Sequence, residues 1–292
     1  MATLKDVLRK IGAVKKTQQI TKAMNMVAAS KLRGAQAKME NFRPYAGKFA
    51  EVIGSLSAHL NVEASPLLEQ REVKNIELLL VTADRGLCGS FNGNLNNLAE
   101  KFLRAKGAEG VGTSLVCLGR KGRDYFRRRQ TNIRASHIDV MGRFDMSNAI
   151  TIAQDLASRF IGGESDEVYV VSAHFISMAI QRPVTRKLLP ISPEELGGPG
   201  ETAGAAREYL YEPSPEQLIS SLLPTHVNVQ VYSAMLETSA SEHAARMTAM
   251  DNASRNCKDL IRSLSLTYNK ARQAGITREL MDIVGGAEAL KK

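Results

Sequence analysis

The chain has no tryptophan, and aromatic residues make up only 5% of its 292 positions. That is low for a globular enzyme and common where Ala, Leu, Met and Lys build long helices. Cysteine is also scarce. Cys88, Cys117 and Cys257 are far apart and no CxxC occurs, a pattern that points to reduced thiols in a cytoplasmic setting. No uninterrupted apolar run approaches the roughly 18 residues needed to span a bilayer. The opening MATLKDVLRK is charged and helical, without an apolar signal region. If the chain works at a membrane, something else holds it there.

Catalytic signatures are missing as well. His59, His137, His174, His226 and His243 are scattered, and no second histidine completes HExxH after Glu242-His243. Ser172 and Ser177 lack the GxSxG setting of a hydrolase nucleophile. Cys88 has no base beside it in sequence and reads as a packed turn cysteine. No acid, base and nucleophile assemble, and neither a metal nor a cofactor site is expected.

What is present is positive charge and helical periodicity. The net charge is +9, and residues 1–48 alone hold eleven Lys/Arg against Asp6 and Glu40. Such a run is either a solvated helix face or a surface for nucleic acid, anionic lipid or an acidic protein. Apolar residues at Leu4, Val7, Leu8, Ile11 and Val14, then Ile20, Met24, Val27, Ala28, Leu32, Ala35, Met39 and Phe42, are spaced by threes and fours. That spacing, held over so many turns, predicts a coiled-coil seam rather than a short amphipathic helix. Pro44 is expected to bend or break it, and Gly34, Gly47 and Gly54 weaken it.

The middle alternates β and α. Strands are predicted at 76–82, 114–118, 133–140, 167–175 and 184–191. Helices are predicted at about 95–105, 122–129 and 147–160, the last capped by Ser147. This order implies an α/β layer with a mostly parallel sheet. Gly197–Gly204 reads as a mobile surface loop. The turn Asp84–Asn92 lies between a strand and a helix, where backbone N–H groups could meet an anion. It has neither GxGxxG nor GxxxxGK[ST], so Gly86 and Gly89 are assigned to a tight turn and close packing.

A second long helix opens with a capping box at Ser214-Pro215-Glu216-Gln217, and Pro224 is expected to limit its first stretch. Its seam passes Val227, Val231, Ala234, Ala245, Met247, Ala253, Cys257, Leu260, Leu264, Tyr268 and Ala271, then Leu280, Ile283, Val284, Ala287 and Leu290. Neither long helix can hide its stripe alone. Two arrangements do it: the ends pair antiparallel around an α/β insert, or each forms a separate bundle.

Three stretches then carry a resemblance. Thr17–Arg33 (TQQITKAMNMVAASKLR) is similar to the N-terminal helix signature of the gamma subunits of F-type ATP synthases. Asp84–Asn92 resembles that family's DRGLCGGFN turn, with Ser90 in place of the second Gly of the pair. Glu242–Ala253 (EHAARMTAMDNA), with 268–274, 276–280 and 285–290, resembles the C-terminal signature. The order matches over essentially the whole chain.

The resemblance implies a fold and a function. The expected architecture is a long antiparallel coiled coil of N- and C-terminal helices with an inserted Rossmann-like α/β domain, divided as 1–60, 61–212 and 213–292. One copy would project into a ring of three alpha and three beta subunits, and sit with the epsilon subunit on the membrane's c-ring. It would turn as a non-catalytic rotor shaft that couples proton flow to ATP synthesis and helps regulate ATPase activity and proton flow. The implied setting is peripheral, on the cytoplasmic face of the bacterial inner membrane. By matching positions, Lys22, Met24, Arg272 and Gln273 would meet beta subunits. Ile283, Val284, Ala287 and Leu290 would form an apolar bearing. Tyr209, Tyr211 and Glu212 would be the foot on the c-ring. No nucleic acid and no small-molecule ligand are expected. The competing readings are a nucleic-acid-binding coiled coil and a nucleotide-dependent α/β enzyme.

Overall fold

Two very long helices bound a five-stranded sheet in a computed structural model of the chain, which describes residues 3–57, 65–191 and 215–289. The elements run α1 (Leu4–Ser57), a 3-10 turn at Pro66–Leu68, β1 (Asn75–Val81), α2 (Phe91–Ala108), β2 (Gly112–Leu118), α3 (Arg120–Arg127), β3 (Ile133–His137), α4 (Met146–Ile161), β4 (Glu167–Phe175), β5 (Gln181–Leu189) and α5 (Pro215–Ala289). Ser214, the loop 197–204, His59, Leu290 and the residues 209, 211 and 212 lie outside the described residues. The chain divides into two compact units, one of residues up to Ala28 with those from Met247 on, the other Ala29–Arg246.

In α1 buried or half-buried positions recur at 7, 11, 14, 18, 21, 25, 28, 32, 35, 39, 42, 46, 49 and 53, with 6, 24, 29, 36 and 54 half-buried beside this stripe. The intervals alternate four and three without a break, which is a heptad seam. The purely apolar pattern misses part of it. Ile20 and Val27 are 59% and 57% exposed, and Leu4 and Leu8 also face water. Gln18, Thr21 and Asn25 take the seam instead. In the first unit Asn25 Nδ2 donates to the Met247 carbonyl at 2.8 Å and Gln18 Nε2 to the Ser254 carbonyl at 3.5 Å. Seven residues forward on one helix match seven back on the other, so the pair is antiparallel. A polar side chain that bonds a facing carbonyl satisfies itself in a seam, which apolar periodicity cannot register. On α5 the covered positions in this unit include 250, 254, 257, 261, 264 and 268. Ile261, not the exposed Leu260, fills the seam, and Ala271 is exposed.

Neither proline interrupts its helix, since α1 continues through Pro44 and α5 through Pro224. Each proline faces solvent. Tertiary packing on either side offsets the roughly 3 kcal/mol that an internal proline costs. In the second unit Phe42 meets Tyr232 edge-on at 4.9 Å, and Phe49 stacks over His226 at 6.4 Å. Leu223 and Val227, beside Pro224, are fully buried.

The sheet order is β3-β2-β1-β4-β5, with β5 antiparallel and the rest parallel. Alternation of side chains divides the core between its two faces. Leu78, Leu80, Leu115 and Cys117 pack under α2 and α3 through Leu95, Ala99 and Phe126. Leu79, Val81, Val116 and Val168 pack with α4 and with the Ile219–Met235 stretch of α5. The cap of α4 is Asp145, two residues before the expected Ser147, and it forms a capping box with Asn148. β3 ends early, at His137, two residues before Asp139 turns to φ 60°. One polar network crosses the core. Glu77 on β1 is fully buried, and its carboxylate accepts from Arg134 of β3. Arg134 also pairs with Asp155 of α4 at 2.5 Å.

Candidate functional site

The connections reverse direction between β1 and β4. β2 and β3 are laid down on one side of β1, and β4 and β5 on the other. In doubly wound folds that reversal opens a crevice at the carboxyl ends of the two strands, where ligands bind. Here the crevice is filled by the chain's own α5. The Ala173 amide of β4 donates to Thr238 Oγ1 at 3.2 Å, and Ala245 packs against the core cluster beneath α2. Arg246 forks onto the 84–92 turn, donating to the Gly86 carbonyl at 3.1 Å and the Arg85 carbonyl at 3.4 Å. Its other arm pairs with Glu242 at 2.7 Å, where both side chains are nearly buried.

Side chains of the turn bind backbone amides from elsewhere in the chain. Asp84 carboxylate oxygens accept from the backbone N–H of Arg120 (2.9 Å), Asp139 (2.9 Å) and Met141 (3.1 Å). Asn92 Oδ1 accepts from the Ala83 amide at 3.0 Å, and its Nδ2 faces Cys88 Sγ at 3.1 Å. Through Asp84 and Asn92 the turn is tied to the start of α3, to the 139–141 segment and to the end of β1. Gly89 has φ 60°, as a tight turn demands. The close approach expected at Gly86 lies elsewhere: a Cβ on Gly119 would sit 2.2 Å from the Thr82 carbonyl. Leu87 projects with φ 65° and is 63% exposed. Cys88 is buried, and burial raises its thiol above the ordinary range, as burial also pushes Cys117 up to about 12. Neither is poised as a nucleophile.

Burial governs the acid–base character of this region. Glu242 is raised, first by desolvation and against the pull of Arg246. His243 is lowered to about 4 by burial, with Arg246 and Lys31 adding to it, and His226 to about 4 by burial alone. His226 Nδ1 has no hydrogen-bond partner among the described residues. A histidine held below its ordinary 6.5 binds protons in the unfolded chain first, so it favours the fold above that value. The stability is then lost as pH falls toward 4. We expect the unfolding midpoint to drop between pH 7 and pH 4, and His226→Phe to flatten that slope measurably in urea titrations. Among the described residues no group of three His, Cys, Asp or Glu could hold a metal.

In the first unit the predicted contact residues fall into separate patches. Lys22 is exposed and Met24 half-buried on α1, opposite α5 near Met247 by the Asn25 register. Arg272 and Gln273 are exposed some 25 residues further along α5, roughly 35 Å away at 1.5 Å per residue. By that register, residue 268 of α5 lies opposite Leu4, the first residue of α1. From 269 to 287 every α5 residue but Gly275 is exposed. Ile276, Leu280, Met281, Ile283 and Val284 are all at least half exposed there, and Ala287 is exposed too. Single exposed apolar residues are ordinary, but here five fall on one stretch of α5 that is exposed among the described residues. Composition and motif reading assigned no role to Asp84, Thr238 or Arg246, because their partners are 36 to 161 residues away.

The structure defines a class of architecture with two parts: a doubly wound α/β sheet whose switch point is closed by a helix of the same chain, and terminal helices that pair antiparallel. The family model described as ATP synthase matches residues 3–290, and the chain belongs to that family. It is 53% identical over 291 residues to the ATP synthase gamma chain of Desulfotalea psychrophila (strain LSv54 / DSM 12343). It is 54% identical over 294 residues to that of Syntrophobacter fumaroxidans (strain DSM 10017 / MPOB). In both comparisons each chain is covered completely. Among solved structures it is similar to a chain of the Tetrahymena thermophila mitochondrial ATP synthase central stalk and c-ring. The TM-score is 0.60 and the identity 27%, with 80% of this chain and 99% of that one covered. A chain of the Euglena gracilis mitochondrial ATP synthase shares the fold at TM-score 0.66 and 20% identity, over 99% of this chain and 94% of that one.

Proposed function

We propose that this chain is the central rotor shaft of an F-type ATP synthase and carries no catalytic site of its own. The observation that carries the reading is the full-length identity above one half to gamma chains. The plugged crevice fits a chain that leaves nucleotide chemistry to its partners. Those partners are alpha and beta subunits around the paired helices, and the epsilon subunit and c-ring at the other end. No described helix is long and apolar enough to cross a membrane. Attachment to the cytoplasmic face of a bacterial inner membrane then runs through the c-ring.

In this reading the chain is organised as 1–60, 61–212 and 213–292. Lys22 and Met24 touch one beta subunit and Arg272 and Gln273 hydrogen-bond another. Ile283, Val284, Ala287 and Leu290 turn in an apolar sleeve, where contacts without direction impose no preferred angle. Tyr209, Tyr211 and Glu212 stand on the c-ring. Mixed with alpha and beta subunits, the chain yields a complex of three alpha, three beta and one copy of itself with ATPase activity. Arg272→Ala with Gln273→Ala leaves the melting temperature of the free chain unchanged, because both side chains face water. The same pair lowers turnover of the complex by about an order of magnitude, the effect of about 1.4 kcal/mol lost from a rate-limiting contact. Failure to co-assemble sinks the reading.

A further inference from the structure

The densest basic segment of the chain is not the N-terminal helix but residues 120–129, with six Lys/Arg against Asp124. Most of these cations are occupied. Arg120 pairs with Asp139 at 2.5 Å and Arg123 with Asp124 at 2.7 Å. Arg129 lies 3.7 Å over the Tyr125 ring and 3.4 Å from Glu100. The Lys121 side chain rests against Gly86. Arg127 and Arg128 are exposed and make no ion pair among the described residues. Together with Asp124 they line a surface cleft of about 380 Å³.

One cation at the last turn of α3 serves the helix dipole. Two adjacent ones on a cleft exceed that need. Their backbone is preorganised: the Arg129, Gln130 and Thr131 amides donate back to the carbonyls of Phe126 and Arg127 at 3.0–3.4 Å, and Phe126 is fully buried beneath them. A ligand therefore meets two guanidinium forks whose backbone is already ordered, which lowers the entropic cost of binding.

We propose that Arg127 and Arg128 form a docking site for an acidic segment, two carboxylates close in space, on another subunit of the assembled complex. The site rests on the rotor-shaft reading and extends it to a contact that reading leaves unassigned. Guanidinium forks match carboxylates in pairs. The cleft admits one or two side chains rather than a flat bilayer, and Asp124 on its wall opposes a multiply charged phosphate headgroup.

Carbodiimide coupling tests it in the reconstituted complex. Arg128→Lys keeps the charge and places an amine in the cleft, which the reagent joins only to a touching carboxylate. The expected product is an amide between residue 128 and an Asp or Glu of another subunit. Its yield falls at least about fivefold when Arg127→Glu is added, as expected on reversing one charge of a paired site. Coupling to Asp124 of the same chain alone, or no coupling in an assembled and active complex, overturns the proposal. Vesicles with about one quarter phosphatidylglycerol in phosphatidylcholine form the second arm. Sedimentation of the chain with them that Arg127→Glu/Arg128→Glu abolishes assigns the site to lipid and overturns it as well. If no active complex forms, the rotor-shaft reading fails first and this site falls with it.

Discussion

Replacing Arg246 with alanine is expected to destabilise the chain by about 3–5 kcal/mol, the range seen when one partner of a buried ion pair is removed. Two losses add. The carbonyls of Arg85 and Gly86 lose their donor, and Glu242 is left as an unpaired carboxylate at 5% exposure. The pH dependence identifies the second loss. Burial already raises Glu242 above its ordinary 4.5, so the folded state holds its proton more tightly than the unfolded chain does. Stability linked to this group is greatest at low pH and declines as pH rises through the folded-state value. Removing Arg246 enlarges the effect, so the gap between variant and parent is widest at neutral pH and narrows as the carboxyl protonates. Glu242→Gln in the Arg246→Ala background recovers part of the loss at pH 7 and little at pH 4. Denaturant titrations at the two pH values read this directly. An equal gap at both would mean that only the turn carbonyls matter.

Gly119→Ala is expected to cost about 3 kcal/mol or more. Gly119 has φ 105°, and an added Cβ would lie 2.2 Å from the Thr82 carbonyl oxygen and 2.8 Å from Thr82 Oγ1. Thr82 cannot give way. Its amide and hydroxyl donate to the Leu118 carbonyl at 2.7 and 3.3 Å, and its oxygen accepts from the Gly122 amide at 2.9 Å. Gly110→Ala is the matched control, since Gly110 also has positive φ (79°) but open space around it. That variant loses only backbone strain, about 1 kcal/mol. The difference between the two midpoints measures the close approach of β1 to the turn before α3.

Much of the fold was legible from the chain because its signals are local. The strands at 75–81 and 167–175 are rich in Leu, Ile and Val, and such composition needs no partner to be seen. The seam was legible where it is apolar, at Val7, Ile11, Leu32 and Met39, and misread between 14 and 28. There Gln18 and Asn25 replace burial with bonds to carbonyls on a helix more than 200 residues away. Pro44 and Pro224 were misread for a related reason. Their local penalty is real, but aromatic and aliphatic packing from the facing helix outweighs it.

The exposed stretch of α5 was legible only as a pattern. Arg272, Gln273, Ile283 and Val284 were singled out by resemblance, and their exposure follows from α5 outrunning the start of α1. The turn 84–92 was recognised as a motif, yet its physical role was not, because Arg246 reaches it from 160 residues away.

By itself, then, the sequence determined two helical ends, an alternating α/β middle and a family, since periodicity, strand composition and long motifs are properties of neighbouring residues. Only the tertiary structure decided that the switch-point crevice is closed by α5, that Asp84 binds the amides of Arg120, Asp139 and Met141, and that polar residues take part in the register of the helix pair. Those outcomes depend on groups brought within 3 Å from distant parts of the chain, and the free energy of such contacts is defined only once the chain has folded.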